Sequence, residues 1–254
     1  MPDNLDRLLD IMKTLRDPDN GCEWDRAQTF ETIVPHTIEE AYEVADAVAR
    51  GDINDIRDEL GDLLLQVVFQ ARIAEEAGLF DFDAVAEAIA RKLEARHPHI
   101  FGDAAIPGGM REEHWEAIKA EERKAKGAAS ALDGVAVALP ALIRADKLQK
   151  RAARTGFDWP DTQGPADKLA EEVRELAEAP SEKREEEAGD LLFAAVNLVR
   201  AYGIAPESAL RAANAKFERR FRAMEDKASG DFAKLTLDQQ EALWQAVKAD
   251  EKPV

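Results

Sequence analysis

The chain has 254 residues, 45% of them hydrophobic and 34% charged, and its net charge at pH 7 is −18. This composition excludes general disorder, and the negative charge argues against nonspecific binding to nucleic acids or anionic membranes. A polyphosphate ligand is compatible with it, because divalent cations can reverse the local charge of an acidic site. Only 14 glycines and 11 prolines interrupt a sequence rich in Ala, Glu, Leu and Arg, so an all-α protein is predicted.

The cellular location is predicted from three further features. Residues 1–12 contain neither a basic segment nor a signal-peptide core. No apolar run approaches the roughly 20 residues that a membrane-spanning helix requires. Cys22 is the single cysteine, which excludes an internal disulfide framework and is typical of a reducing compartment. We therefore expect a soluble, cytoplasmic protein without a membrane or nucleic-acid partner.

Two pairs of acids, each spaced by three residues, mark the first half of the chain. The first pair lies in a predicted helix that Thr37 caps and Gly51 closes. The second pair opens a helix that continues into the apolar residues 63–71. The four acids are Glu40, Glu43, Glu59 and Asp62.

A change in composition separates the two halves. Two stretches of small, turn-prone residues, 102–109 and 127–134, flank a charged helical segment at residues 110–126. This pattern predicts a first module, a connector and a second module at residues 1–103, 104–134 and 135–254.

The second half repeats the acids of the first. The interval from Glu40 to Glu172 is only slightly longer than the interval from Glu59 to Glu187, so the turn between the pairs is shorter in the second copy. The repeated acids are Glu172, Glu175, Glu187 and Asp190. Several amphipathic helices in each half predict a tandem repeat of two helical modules, each resembling a four-helix bundle.

The helices of the second module are bounded by turn signals. Asp167 is predicted to cap a helix that runs to about Glu178, and Pro180 interrupts the chain there. The next helix is predicted at about residues 182–201, and a further helix at residues 206–227.

Helical geometry predicts which way the acids point. At about 100° per residue, Glu172 and Glu175 lie beside an apolar stripe, and so do Glu40 and Glu43. We expect both members of each pair to face the bundle interior, and the apolar residues 191–196 to be buried. Converging carboxylates would repel one another without a cation, and Mg²⁺ prefers oxygen ligands of this kind.

Four basic residues of the second module could contact phosphates. Lys168 lies on the same helical side as Glu172, and Lys183 precedes Glu187. Lys216 and Arg220 share one face of the last predicted helix. Cations that stabilise polyphosphate charge are what phosphoryl chemistry requires.

The doubled Glu-Glu-x-x-Glu and Glu-x-x-Asp pattern resembles the all-α nucleoside triphosphate pyrophosphohydrolases, and its tandem arrangement resembles their MazG type. The resemblance covers nearly the whole chain and includes further stretches at residues 21–25, 96–101, 156–159 and 216–221. It implies Mg²⁺, with Mn²⁺ as a substitute, held by Glu172, Glu175, Glu187 and Asp190. It implies nucleotide contacts from Lys168, Lys183, Lys216, Arg220, Trp244 and Lys248.

The same resemblance implies the reaction and the assembly. Nucleoside triphosphates, and deoxynucleotides with them, would be cleaved between the α- and β-phosphates, giving a nucleoside monophosphate and pyrophosphate. The protein would be a homodimer with broad tolerance of the base. The sequence does not tell which glutamate activates the water, or which of Trp24, Trp159 and Trp244 stacks on a base; core packing is the favoured role of the first two.

The two modules differ outside the acids. The first has the basic residues 91–96 in place of residues 216–221, and it lacks an equivalent of the tail from Leu235 to Lys248. Because it keeps Glu40, Glu43, Glu59 and Asp62, we predict that it binds metal with weaker turnover or none.

Three other interpretations compete with this one. Thr37-x-x-Glu40 matches a capping box, and acids in a first helical turn favour the helix dipole. A di-iron bundle would need Glu-x-x-His motifs, and Glu94-x-x-His97 is the one candidate, next to Pro98 at a predicted helix end. A noncatalytic helical scaffold or regulatory protein is the third.

Overall fold

The computed structural model describes residues 4–102, 112–125, 127–228 and 230–251. Within these ranges the regular structure is helical and contains no strand, so the predicted all-α fold is confirmed. The chain divides into two compact units, Met1–Ile118 and Lys119–Val254, which we call unit 1 and unit 2. The division falls inside the predicted connector; the exact bounds of the modules stay a prediction.

Unit 1 is built on a hairpin of two long helices. Its helices are α1 (Asn4–Leu15), α2 (Glu23–Ala27), α3 (Phe30–Arg50), α4 (Ile53–Glu76), α5 (Phe82–Arg96) and α6 (Pro98–Phe101), and α7 (Glu112–Ala125) continues into unit 2. Helices α3 and α4 pack along each other, and α4 also packs against α1 and α5. The core at this junction consists of Met12, Ile33, Val68, Phe69 and Ile73.

The start of α3 differs from the prediction. Thr29 is the N-cap, and its side chain and that of Thr32 form the reciprocal bonds of a capping box. Thr37 lies inside the helix, where its hydroxyl donates to the Ile33 carbonyl, so the predicted Thr37 cap is wrong. The helix passes through Pro35, which costs one backbone hydrogen bond without ending the helix. Gly51 closes α3 in the left-handed conformation, as predicted.

Unit 2 repeats the hairpin with an additional C-terminal helix. Its helices are α8 (Ala141–Ala153), α9 (Gln163–Glu178), α10 (Arg184–Ala201), α11 (Pro206–Lys227) and α12 (Leu237–Asp250), with a 3₁₀ turn at Phe232–Lys234. Helices α9 and α10 form the hairpin, α8 packs against α10 and α11, and α12 packs against α11. The predicted bounds of α11 are confirmed. Asp167 is not a cap, because α9 begins at Gln163 after Thr162.

The apolar run of α10 is only partly buried, contrary to the prediction for residues 191–196. Ala194 and Val196 are buried, whereas Leu192 is 61% exposed and Phe193 is 44% exposed. The reason is that the helices packed against α10, chiefly α8 and α9, cover only part of its circumference. Among the described helices, none is by itself long and apolar enough to cross a membrane; α10 and α11 meet that test only as a pair bent by 102°.

Candidate functional site

The hairpin of unit 2 brings three carboxylates together. Glu172 on α9 meets Glu187 and Asp190 on α10, with one oxygen of each lying within 4.8 Å of the others. Glu172 is 4% exposed, and its Oε2 atom is buried without a hydrogen-bond partner. Its Oε1 atom lies 2.7 Å from Nζ of Lys168. A buried carboxylate oxygen without a donor, on a residue grouped with two further carboxylates, fits a hard divalent cation.

The fourth predicted acid, Glu175, lies outside this group of three. Glu175 is exposed and outside its group, so the expectation that both members of the Glu172 pair face the interior is wrong for Glu175. In unit 1, Glu43 is exposed as well but still meets Glu40 and Glu59. A spacing of three residues leaves the second side chain about 60° away from the first around the helix, and the facing helix covers only one of them. Partial loss of water and the charges of Glu172, Glu171 and Glu187 raise the pKa of Glu175, and Lys168 opposes them.

Unit 1 has a corresponding group with different membership. Glu40, Glu43 and Glu59 have oxygens within 4.8 Å of one another, whereas Asp62 lies outside the group. Loss of water, followed by the hydrogen bond with Glu43 and the charge of Asp62, raises the pKa of Glu40. Nε2 of the buried Gln66 donates to Glu40 Oε1 over 3.4 Å, and Gln66 Oε1 is buried without a partner.

The predicted nucleotide-contacting residues of unit 2 lie in two places: near the acidic group, and on α11 and α12. Lys168 is part of the acidic group: its ammonium contacts Glu171 at 2.8 Å and Glu172 at 2.7 Å, and both raise its pKa. Lys183 is exposed immediately before the first residue of α10, the helix that carries Glu187 and Asp190.

The other four predicted nucleotide contacts lie on α11 and α12. The Arg220 guanidinium lies 5.5 Å from the ring centre of Trp244 and forms an ion pair with Glu251. That ion pair lowers the pKa of Glu251 to about 2. Lys216 and Lys248 are exposed. These residues do not line the cavity described next.

A cavity of about 520 Å³ opens beside the acids of unit 2. Lys168, Glu172 and Asp190 form part of its lining. The other side chains along it are apolar, aromatic or amide-bearing, with one ion pair, and include Leu148, Gln149, Ala152, Phe157, Asp158, Trp159, Phe193, Asn197 and Arg200. Trp159 is exposed within this lining and Trp24 is exposed in unit 1, so the core role predicted for both is wrong.

Four polar residues of the cavity were missed by the sequence analysis. Gln149 donates through Nε2 to the Phe193 carbonyl over 2.8 Å. Arg200 donates to Oδ1 of Asn197 over 2.6 and 3.0 Å and to the Asp158 carboxylate over 2.6 and 3.0 Å. The hydrogen bond from Arg200 is the main cause of a lowered pKa at Asp158. Asp158 lies in the stretch at residues 156–159, which the family resemblance already included. Gln149 and Asn197 lie within helices, and nothing in the sequence marks such amides as functional.

The single histidine motif does not take part in either acidic group. His97 is the residue after α5, and its Nδ1 lies 2.7 Å from the Leu93 carbonyl oxygen. Its ring lies against Trp115, with 5.2 Å between the ring centres. Glu94-x-x-His97 therefore ends a helix, as its position before Pro98 predicted.

The fold and the site define a class: an all-α protein whose two helical units each hold converging carboxylates on a hairpin. A family model described as the MazG nucleotide pyrophosphohydrolase domain matches residues 28–101 and 163–224, which include both hairpins. The chain belongs to this family.

Relatives match over nearly their whole length. A nucleoside triphosphate pyrophosphohydrolase of Escherichia coli strain K12 is 52% identical over 258 residues, covering 97% of this chain and 98% of that protein. A nucleoside triphosphate pyrophosphohydrolase/pyrophosphatase MazG of Thermotoga maritima is 42% identical over 251 residues, covering 97% and 96%.

Proposed function

We propose that this protein hydrolyses nucleoside triphosphates, ribose and deoxyribose forms alike, between the α- and β-phosphates at the acidic group of unit 2. The observation that carries the proposal is the buried Glu172, which is grouped with Glu187 and Asp190, has an unpartnered Oε2 and contacts Lys168 through its other oxygen. The activity named for the relatives from Escherichia coli and Thermotoga maritima supports it.

The donor set indicates the cofactor. Three carboxylates within 4.8 Å of one another would carry concentrated negative charge, and a triphosphate would add to it. Glu172, Glu187 and Asp190 would hold Mg²⁺, with Mn²⁺ as a substitute and with Glu175 at the edge of the group. When bound, the ion supplies charge neutralisation and Lewis acidity at the phosphates.

The residues of the chain itself position the substrate and move the proton. Lys168 places a positive charge at the edge of the carboxylate group, where it can pair with a phosphate oxygen, and Lys183 adds a second charge at the start of α10. One water adds across the bond between the α- and β-phosphates, giving a nucleoside monophosphate and pyrophosphate. A carboxylate of the group accepts the proton that this water loses.

In unit 1, Glu40, Glu43 and Glu59 would hold the same ion, with Asp62 nearby, and turnover there would be weak or absent. The raised pKa values of Glu40 and Glu59 support the affinity for a cation, because burial and neighbouring acids disfavour both charges. Equilibrium dialysis with Mn²⁺ tests this assignment: loss of one bound ion from Glu40→Gln supports it, and unchanged stoichiometry contradicts it.

A homodimer in the cytoplasm completes the proposal. Apolar side chains are exposed on the hairpins of both units, among them Ile38, Leu60 and Leu64 in unit 1 and Leu192 in unit 2. Exposed apolar surface of this kind marks a surface that associates with another chain.

Product analysis tests the proposed reaction. The protein is incubated with a panel of ribo- and deoxynucleoside triphosphates and Mg²⁺, and the products are identified by mass spectrometry. We expect nucleoside monophosphate and pyrophosphate in equal amounts. Orthophosphate with a nucleoside diphosphate would refute the proposed bond cleavage, and no product from any nucleotide would favour a noncatalytic regulatory protein.

A further inference from the structure

The first acid of each group is hydrogen-bonded to a different kind of donor in the two units. In unit 2, the ammonium of Lys168 lies 2.7 Å from Oε1 of Glu172, and both residues are on α9. In unit 1, Nε2 of Gln66 on α4 donates over 3.4 Å to Oε1 of Glu40 on α3. Equivalent acids of the repeat are thus held by a charged donor in one unit and by an uncharged amide in the other.

Gln66 has features that packing alone does not require. It is 7% exposed, and the other buried residues of α4 are apolar. Among the described residues, its Oε1 atom has no hydrogen-bond partner. An unpaired buried acceptor destabilises a fold, and an apolar side chain of similar size would avoid this cost. The interval from Glu59 to Glu187 places Ala194 at the equivalent position of unit 2, so the hairpin can form without an amide there.

The amide of Gln66 is turned so that its donor serves Glu40. An ionised carboxylate can only accept, so the NH₂ group lies toward Glu40 and the amide oxygen is left over. Glu43 and Glu59 complete the group, with one oxygen of each acid within 4.8 Å of the others. A donor that holds a ligating carboxylate in place orients it toward the cation. Gln66 therefore supports the acidic group at the expense of one unsatisfied buried oxygen.

The cations near this group are already engaged with other acids. Arg50 is the cation that acts on Glu59, and it forms ion pairs with Asp46 and Asp55. His36, which corresponds to Lys168, contacts Glu39 at 3.7 Å. The donor on Glu40 is therefore a neutral group, and the three carboxylates keep their attraction for a cation.

We propose that Gln66 is a positioning residue for a divalent cation at the acidic group of unit 1, where its neutral amide holds Glu40 as Lys168 holds Glu172 in unit 2. This inference rests on the metal site that the proposed function assigns to unit 1. An ammonium beside the acids opposes a cation and favours a phosphate, whereas an amide does neither. The neutral donor thus suits unit 1 to the ion alone.

Mn²⁺ binding tests the role of Gln66, with the free ion measured by its electron paramagnetic resonance signal. The full chain carries Glu172→Gln in every sample, which weakens the site of unit 2 so that the bound ion reports on unit 1. We expect Gln66→Met to weaken this binding about tenfold to a hundredfold, the effect of removing a group that orients a metal ligand. An unchanged affinity for Mn²⁺ would overturn the proposal.

Gln70→Met is the matched control. Gln70 lies one turn further along α4, and its Nε2 donates over 3.0 Å to the hydroxyl of Thr37 on α3. It therefore bridges the same two helices through a hydroxyl instead of an acid. The control should bind Mn²⁺ within about twofold of its parent. An equal loss of affinity in both glutamine variants would mean that Gln66 only joins α3 to α4, contrary to the proposal.

Stability without metal separates a positioning role from a structural one. Gln66→Met removes an unpaired buried acceptor and fills a similar volume, so its melting temperature in EDTA should equal or exceed that of its parent. Added Mn²⁺ should raise the melting temperature less in the variant, because weaker binding stabilises less. A variant that melts well below its parent in EDTA would make Gln66 a structural residue and contradict the proposal.

A comparison of the two sites tests the charge of the donor. Glu40→Gln leaves the site of unit 2 intact and Glu172→Gln leaves that of unit 1, and each removes one carboxylate. Without nucleotide, we expect the site of unit 1 to bind Mn²⁺ about tenfold more tightly, because only the site of unit 2 contains an ammonium. Equal or reversed affinities would show that the neutral donor does not distinguish the two units.

The inference and the proposed function fail separately. If the Glu172→Gln protein binds no Mn²⁺, the metal site assigned to unit 1 is wrong and the role of Gln66 is wrong with it. If that protein binds Mn²⁺ and Gln66→Met binds it equally well, only the role of Gln66 is wrong. The reaction proposed for unit 2 is judged independently, by pyrophosphate release from the native protein.

Discussion

The two units share their acids and differ in what lies beside them. Phe69 of unit 1 and Asn197 of unit 2 are separated by the same interval as Glu59 and Glu187, so they hold equivalent positions in the repeat. Phe69 is 3% exposed, and Trp24 packs edge-on against its ring. At the equivalent position of unit 2, Asn197 lines an open cavity. The aromatic ring at this position is part of the core of unit 1, whereas the shorter amide at the same position of unit 2 lies at an open cavity.

The basic residues near the acids also differ between the two units. By the interval that relates Glu40 to Glu172, Lys168 of unit 2 corresponds to His36 in unit 1, which lies 3.7 Å from Glu39. By the interval that relates the second pair of acids, Lys183 corresponds to Asp55, which pairs with Arg50. Unit 1 therefore has carboxylates without the two lysines that would attract a polyphosphate. On this comparison we predict that the acids of unit 1 bind a cation without binding a nucleotide.

The largest effect should come from removing one buried acid in each unit. Glu172→Gln should lower the rate of pyrophosphate release about a thousandfold, because the neutral amide holds a cation only weakly and forms no ion pair with Lys168. Glu40→Gln should leave the rate within about twofold. Pyrophosphate release is measured with a coupled enzymatic assay, and loss of activity only in the Glu40 variant would reverse the assignment of the two units.

A smaller effect, on stability, should distinguish core from pocket. Phe69→Ala should lower the free energy of unfolding by about 3–5 kcal/mol, because it leaves a void in the core of unit 1. Asn197→Ala should cost about 1 kcal/mol, the loss of its bonds to Arg200. Urea unfolding of both variants provides the measurement, and equal losses would show that Asn197 serves as a core residue too.

The smallest effect concerns α12, the C-terminal helix, which has no counterpart among the described helices of unit 1. Because the folded pKa of Glu251 is about 2 and its ordinary value is 4.5, its bond to Arg220 stabilises the fold fully above pH 4.5 and is lost as pH falls toward 2. Glu251→Gln should therefore lower the melting temperature at pH 7 by a few degrees. That difference from the native protein should shrink between pH 4.5 and pH 2 in melting curves followed by circular dichroism; a difference that is constant with pH would exclude the ion pair as its cause.

Helix boundaries predicted from single capping or turn residues were correct for some helices and wrong for others. The helix predicted at residues 206–227 agrees with α11 residue for residue, and Pro206 occupies its first position, where proline is favoured. The prediction of a Thr37 cap failed, because α3 begins at Phe30 and continues through Pro35, although a proline usually ends a helix. Asp167 has the chemistry of a cap, yet its side chain accepts from Gln163 one turn earlier within α9.

The sequence by itself determined the all-α fold, the duplication and the acids, because helical periodicity and a spacing of three residues are written along the chain. The tertiary structure decided which acids meet: Glu172, Glu187 and Asp190 converge while Glu175 lies outside the group, since a facing helix covers only part of each helix surface. It also decided that Gln149 and Asn197 form a pocket. The sequence does not indicate which amides line a cavity, because packing alone removes their water and fixes which of their atoms are hydrogen-bonded.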